Sequence, residues 1–257
     1  MTDPPRDIVW PAAPQVPRLR PGEVHVWTSP LSPDPRRRQA LAPLLSDSET
    51  ARADRFHFAA DAHRYVIARG LLRKLLAGYC DTPPERIALR ESDHGRPQLA
   101  DAHAHRGVDG PPATVFDFNL SHARDRVVYA FSAGARVGVD VEWVAPLDEM
   151  DELVTIHFSA REQATWKALP ADVRERAFYD CWTRKEAFVK AIGEGLSHPL
   201  DSFDVRFAPG DEPAIERLEG GDPARWSLRA LAPEAGYASA LAVEAPGITL
   251  RCWSIPD

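Results

Sequence analysis

The chain has no run of eighteen apolar residues and no basic segment leading into an apolar one, so neither a membrane-spanning helix nor an amino-terminal signal segment is expected. It has no excess of positive charge. Lys and Arg number 31 against 38 Asp and Glu, a formal net charge of −7, which argues against general nucleic-acid binding. Cysteine is scarce: Cys80, Cys181 and Cys252 are odd in number, widely spaced and without a CxxC pair. A disulfide framework and a zinc site are therefore set aside, and buried reduced thiols in a cytoplasmic protein are expected. There is no low-complexity tract and no Pro/Gly/Ser linker long enough to separate independent domains, so the chain should fold as packed halves.

Hydrophobic residues make up 44% of 257, enough for a core. Proline collects at the start (Pro4, Pro5, Pro11, Pro14, Pro17, Pro21), and residues 1–22 read as an extended or poorly ordered arm. Val24 to Trp27 reads as a strand. Helical patterns follow at about 34–45 and 47–58. A longer one runs from Asp61 to Tyr79, with Tyr65, Leu72, Leu75 and Leu76 on an apolar stripe and Arg64, Arg69 and Arg73 off it. A short strand at 87–89 leads to the turn at 94–97, and 101–112 reads as a mobile loop. Val115 to Leu120 reads as a strand closed at a loop by Ser121 and His122. A hairpin is then expected from 127–132 and 137–143, with Gly134 at its turn. Helices are expected at about 147–157, 159–169 (opened by the capping-box sequence Ser159-Ala160-Arg161-Glu162) and 172–192, and strands near 203–207, 226–231, 237–243 and 248–253. Each half thus runs strand, short helices, long helix, strands. The expected domains are the arm 1–22, an N-terminal half 23–132 and a C-terminal half 133–257.

Two stretches carry the chemistry. On the last long helix Trp182, Glu186 and Lys190 fall at i, i+4 and i+8 along one row, either a small active-site wall or a surface ion pair. In Val137 to Trp143, strand alternation puts Asp140 and Glu142 on one face. Carboxylates that close favour sharing a divalent ion, and an oxygen-only set suits Mg²⁺, whose remaining positions substrate phosphates complete. An acidic outer strand face is the alternative. Arg64 and Arg96 read either as solvated cations or as phosphate clamps.

Five motifs stand in order: Asp61-Ala62-His63-Arg64, His94-Gly95-Arg96-Pro97, Phe118-Asn119-Leu120-Ser121-His122, Val137-Gly138-Val139-Asp140-Val141-Glu142, and Trp182 to Lys190 with Lys185-Glu186 at its centre. Together they resemble the Sfp-type 4′-phosphopantetheinyl transferases, over about residues 24 to 245. The resemblance implies an α/β (α+β) pseudo-twofold fold of two similar halves, each a small sheet packed on a long helix, with a cleft between them. It implies transfer of 4′-phosphopantetheine from coenzyme A to a serine of an acyl or peptidyl carrier protein of polyketide, nonribosomal peptide or fatty acid synthases, releasing 3′,5′-ADP. By the same resemblance Mg²⁺ or Mn²⁺ is the metal, held by Asp140, Glu142 and Glu186; Glu186 and Lys190 are catalytic. Arg52, Arg64, Arg96, Ser121, His122, Lys185 and Lys190 hold coenzyme A, with His122 beside its 3′-phosphate. A monomer is implied. A Mg²⁺-dependent pyrophosphate hydrolase and a silent binding module are the rival readings. Two positions depart from the family pattern: Glu49 stands where a second basic residue is frequent, and Arg96 where lysine is.

Overall fold

The computed structural model describes residues 8–13, 15–100 and 116–256. The expected loop at 101–112 lies outside them. The N-terminal half starts with β1 (Glu23–Pro30), followed by α1 (Pro35–Leu41), α2 (Asp47–Ala53) and the long α3 (Ala59–Cys80). The short pair β2 (Leu89–Glu91) and β3 (Pro97–Leu99) precedes β4 (Phe116–Ala123) and β5 (Arg126–Ala133). The C-terminal half comprises β6 (Val137–Trp143), α4 (Met150–His157), α5 (Ala160–Ala168), the long α6 (Ala171–Ile192), β7 (Phe203–Arg206), β8 (Ala214–Leu218), β9 (Ser227–Leu231), β10 (Tyr237–Val243) and β11 (Thr249–Ser254). No helix of the described residues is long and apolar enough to cross a membrane.

Two sheets form the centre, ordered β11-β1-β5-β4 and β6-β10-β9. Strand alternation sends Trp27, Val127, Tyr129 and Phe131 outward, where they bury against Ile67, Leu71, Leu72, Leu75 and Leu76 of α3. It sends Val24, Val26, Val128 and Ala130 inward, against Val137, Val139, Val141, Leu241 and Val243 of the second sheet. The second sheet's outer face packs Ala240 and Ala242 against Phe178, Ala187, Phe188 and Ala191 of α6. The layers are therefore helix, sheet, sheet, helix, and the long helices cover opposite outer faces.

Several expectations need correction. The segments 127–132 and 137–143 do not form a hairpin: β5 pairs with β4 and β6 with β10. Instead the edges of β4 and β6 are tied by side chains, Val137 N donating to Asp117 Oδ2 at 2.8 Å and Val139 N to Asn119 Oδ1 at 3.0 Å. Those bonds satisfy amides that a ladder would otherwise have to serve. Ser121 and His122 lie within β4, opposite Val128 and Val127, not in a loop. The last strand, β11, returns to run parallel to β1, so a division at 132/133 leaves residues 249–254 in the sheet of the first half. The described part of the arm is anchored: Trp10 Nε1 donates to Ala232 O at 2.9 Å and Leu19 is fully buried.

Candidate functional site

The site lies where α3, β4, the turn at 94–97 and the end of α6 meet, around a cavity of about 720 Å³. One end is cationic. Arg52, Arg64, Arg69, His122 and Arg124 line it, with Phe56 and Tyr65 between them. Arg64 is held by Asp61 and Asp125, its NH1 and Nε both at 3.0 Å from their carboxylates. Arg52 stands over the Tyr65 ring and donates to Glu91 at 2.5 Å. His122 has its pKa lowered, first by loss of water around the ring and then by the charges of Lys190, Arg64 and Arg69, so the imidazole is neutral over a wider pH range than usual.

The other end is built on the contact of β6 with α6. Gly138 makes that contact possible: a Cβ there would lie 2.1 Å from Ala187 O and 2.4 Å from Ala191 N. The helix is thereby seated directly over the strand. Lys190 Nζ donates to Asp140 Oδ1 at 2.5 Å and to Ser121 Oγ at 3.0 Å, and Ser121 Oγ itself donates to Asp140 Oδ1 at 2.8 Å. One hydrogen-bonded group thus joins residues 121, 140 and 190, from both halves.

Burial and the neighbouring charges of Asp140 and Glu186 push the pKa of Glu142 up to about 7, Lys190 opposing them. Burial and then Asp140 raise that of Glu186. The three carboxylates therefore feel one another, as shared-cation ligands would. They are not gathered into a finished ligand set. Among the described residues no three His, Cys, Asp or Glu side chains stand close enough to hold a metal ion as they are placed. Lys190 instead neutralises Asp140. The donors nevertheless fit a hard cation, because all are oxygens and Asp140 Oδ2 is buried with no hydrogen-bond partner.

Two sequence-expected ligand residues do other work. Lys185 is fully buried, its Nζ 2.8 Å from Glu162 and donating to Leu200 O at 2.6 Å and Phe203 O at 2.8 Å, so it fixes the C-terminal core and does not face the cavity. Arg96 borders the cavity but donates to Lys190 O (2.6 Å), Asp117 Oδ1 (2.8 Å), Phe118 O (2.7 Å) and Val137 O (3.0 Å). It clasps the two halves, which the single ammonium of a lysine has too few donors to do. Glu49 points inward, capping α2 through Ser46 and accepting from Arg73 Nε at 2.6 Å, so the expected repulsion of an anion is largely cancelled. Arg69 was not singled out from the sequence as a site residue. Its signal was the i, i+4 spacing from Tyr65, which puts both on the cavity side of α3.

A double-sheet core thus carries a cavity that is cationic at one end and leads to Lys190 and the buried Asp140 at the other. Comparison with known proteins places it. The model of the 4′-phosphopantetheinyl transferase superfamily matches residues 136–242, and that of the 4′-phosphopantetheinyl transferase N-terminal region matches 30–134. The chain is 33% identical to the 4′-phosphopantetheinyl transferase HetI of Nostoc over 231 residues, 90% of this chain and 92% of that one. It is 30% identical to the 4′-phosphopantetheinyl transferase Sfp of Bacillus subtilis over 70% of this chain and 74% of that one. The chain belongs to the 4′-phosphopantetheinyl transferase superfamily.

Proposed function

We propose that this protein transfers the 4′-phosphopantetheine group of coenzyme A to a serine of an apo carrier protein, yielding holo-carrier and 3′,5′-ADP. The observation that carries the reading is the hydrogen-bonded group of Lys190, Asp140 and Ser121 at the acidic end of the cationic cavity. Phosphoryl transfer is mostly positioning and charge stabilisation, which such a site supplies without a nucleophile of its own. All three cysteines are buried free thiols, two of them pushed up to about 11 and about 12 by burial, and none is suited to attack.

In this reading Asp140, Glu142 and Glu186 hold Mg²⁺, which when bound would neutralise the pyrophosphate. Glu186, its pKa raised, accepts the proton of the carrier serine as that oxygen attacks the β-phosphorus. The bond from that phosphorus to the bridging oxygen breaks, and 3′,5′-ADP departs. Lys190 leaves Asp140 for the pyrophosphate and steadies the departing group. Arg52, Arg64 and His122 hold the nucleotide end. Ser121 orients Lys190, and Arg96 fixes the end of α6. Because one chain supplies both sides of the cavity, a cytoplasmic monomer suffices, with carrier domains of polyketide, nonribosomal peptide or fatty acid synthases as partners.

Intact-mass measurement of an apo carrier protein incubated with coenzyme A, Mg²⁺ and the enzyme tests this. A carrier heavier by one phosphopantetheine group is expected. Coenzyme A cleaved equally without carrier would make the protein a hydrolase, and an unchanged donor would leave only binding.

A further inference from the structure

We propose that Arg69, paired with Arg52, receives the 3′-phosphate of coenzyme A and sets donor specificity, and that the Glu91 carboxylate occupies this place in the ligand-free protein. The inference rests on the transferase reading, which makes coenzyme A the donor. Coenzyme A carries two anionic groups, a pyrophosphate and a 3′-phosphomonoester. The pyrophosphate contains the bond that breaks, so it belongs at the acidic end beside Lys190. The cationic end is left for the phosphomonoester.

Within that end, Arg69 differs from the other arginines of α3. Arg73 is tied at 2.6 Å to Glu49 and donates to Pro84 O and Ile87 O, both at 2.9 Å. Arg64 has two short carboxylate bonds. Arg69 has only long pairs, Nε 3.5 Å from Glu49 Oε1 and NH2 3.8 Å from Glu91 Oε1, beyond ordinary charge-assisted hydrogen bonds. Its guanidinium is nonetheless fixed in place, 5.5 Å from the centre of the Tyr65 ring, as is that of Arg52. Tyr65 is thus a pedestal for two guanidinium groups. Arg69 also lines both the main cavity and an adjoining one of about 550 Å³, so it sits at their junction.

Between the two guanidiniums lies one oxygen, Glu91 Oε1, 2.5 Å from Arg52 NH1 and 3.8 Å from Arg69 NH2. The Glu91 side chain is 48% exposed and can swing into solvent. An exposed carboxylate bridging two forked cations marks the place of a tighter anion, and a phosphomonoester dianion with three oxygens matches the two forks better than one carboxylate oxygen does. The arrangement also explains Glu49. That position is acidic because its carboxylate positions Arg69 and Arg73, and the cation expected at residue 49 is supplied from α3 instead.

Calorimetric titration of the full-length protein with adenosine 3′,5′-bisphosphate and with adenosine 5′-monophosphate tests this apart from any transfer. The wild type should prefer the bisphosphate by on the order of 10–100-fold. Arg69→Gln should cut that preference about tenfold while leaving monophosphate binding nearly unchanged, and Arg69→Lys should restore part of it. Glu91→Gln should act in the opposite direction, tightening bisphosphate binding alone, because it removes an internal competitor. Glu91 is half-exposed and reaches the buried Arg69 only by a long contact, so Glu91→Gln should fold normally and decides the matter even if Arg69→Gln folds poorly. A preference unaltered by Arg69→Gln, or bisphosphate binding weakened by Glu91→Gln, would overturn the proposal. Failure of the wild type to modify a carrier would instead overturn the transferase reading, and the titrations would still decide on Arg69.

Discussion

The two long helices, α3 and α6, are the same length, cover opposite faces of the central sheets, and have been put to different uses. Each is preceded by a short helix opened by a capping box, Ser46 with Glu49 and Ser159 with Glu162. In both, the capping glutamate is buried and grips a buried cation at the same position along its long helix, Arg73 in α3 and Lys185 in α6. Each cation also donates to two backbone carbonyls of the segment that follows. The duplication is therefore present in residues as well as in element order. What differs is the side toward the site: α3 offers Arg64 and Arg69 to the cavity, and α6 offers Lys190 to it, with Glu186 one turn away near Asp140. In the proposed reaction one helix would bind charge and the other would move it.

The comparison breaks most visibly at the paired cations. Lys185→Ala should cost about 3–5 kcal/mol in chemical denaturation by leaving buried Glu162 without its cation, and Arg73→Ala somewhat less, because Glu49 keeps its longer pair with Arg69. Lys190→Ala, one turn and a residue further along α6, leaves the buried Asp140 with the Ser121 hydroxyl and removes a partly exposed lysine, so it should cost less stability than Lys185→Ala and lose activity by about 10²–10³-fold. Equal loss of stability in Lys185→Ala and Lys190→Ala would end the distinction. Gly138→Ala forces α6 off β6 and should cost roughly 1–3 kcal/mol, and activity with it. A fully active Gly138→Ala enzyme would show that the close seating of the helix is not needed.

A smaller effect concerns pH. Glu142 keeps its proton up to about pH 7 in the metal-free fold, against an ordinary 4.5. Because the folded pKa is the raised one, this contribution to stability is complete below about 4.5 and is lost as pH rises through about 7. Mg²⁺ binds the ionised form, so the rise in melting temperature on adding Mg²⁺ should be larger at pH 8 than at pH 5.5. A rise independent of pH would remove Glu142 from the metal set.

Much of this was legible because it is local. The apolar stripe of α3, the capping box at Ser159, the row of Glu186 and Lys190, and the alternation of Asp140 and Glu142 are all set by spacing within one element. What was misread depends on partners far along the chain. The segment Ala133 to Arg136 looks like a hairpin turn, yet β6 leaves for another sheet because Asp117 and Asn119 satisfy its edge amides. Lys185 stands beside Glu186 in sequence, and only Glu162 on a separate helix shows that it points into the core. Arg69 gave no motif of its own. Its proposed role rests on Glu91, brought alongside by the β2–β3 pair.

The claim that α6 performs the chemistry while α3 holds the donor is tested most directly by Glu186→Gln, which keeps shape and one coordinating oxygen but removes charge and basicity. With kcat for carrier modification and affinity for adenosine 3′,5′-bisphosphate measured on the same preparation, kcat should fall by on the order of 10²–10⁴ while the affinity stays within about twofold of the parent. Titrating Mg²⁺ to excess should not restore the rate if Glu186 is the base. An unaltered kcat would contradict the account and leave the Lys190–Asp140 pair as a purely structural tie between α6 and β6.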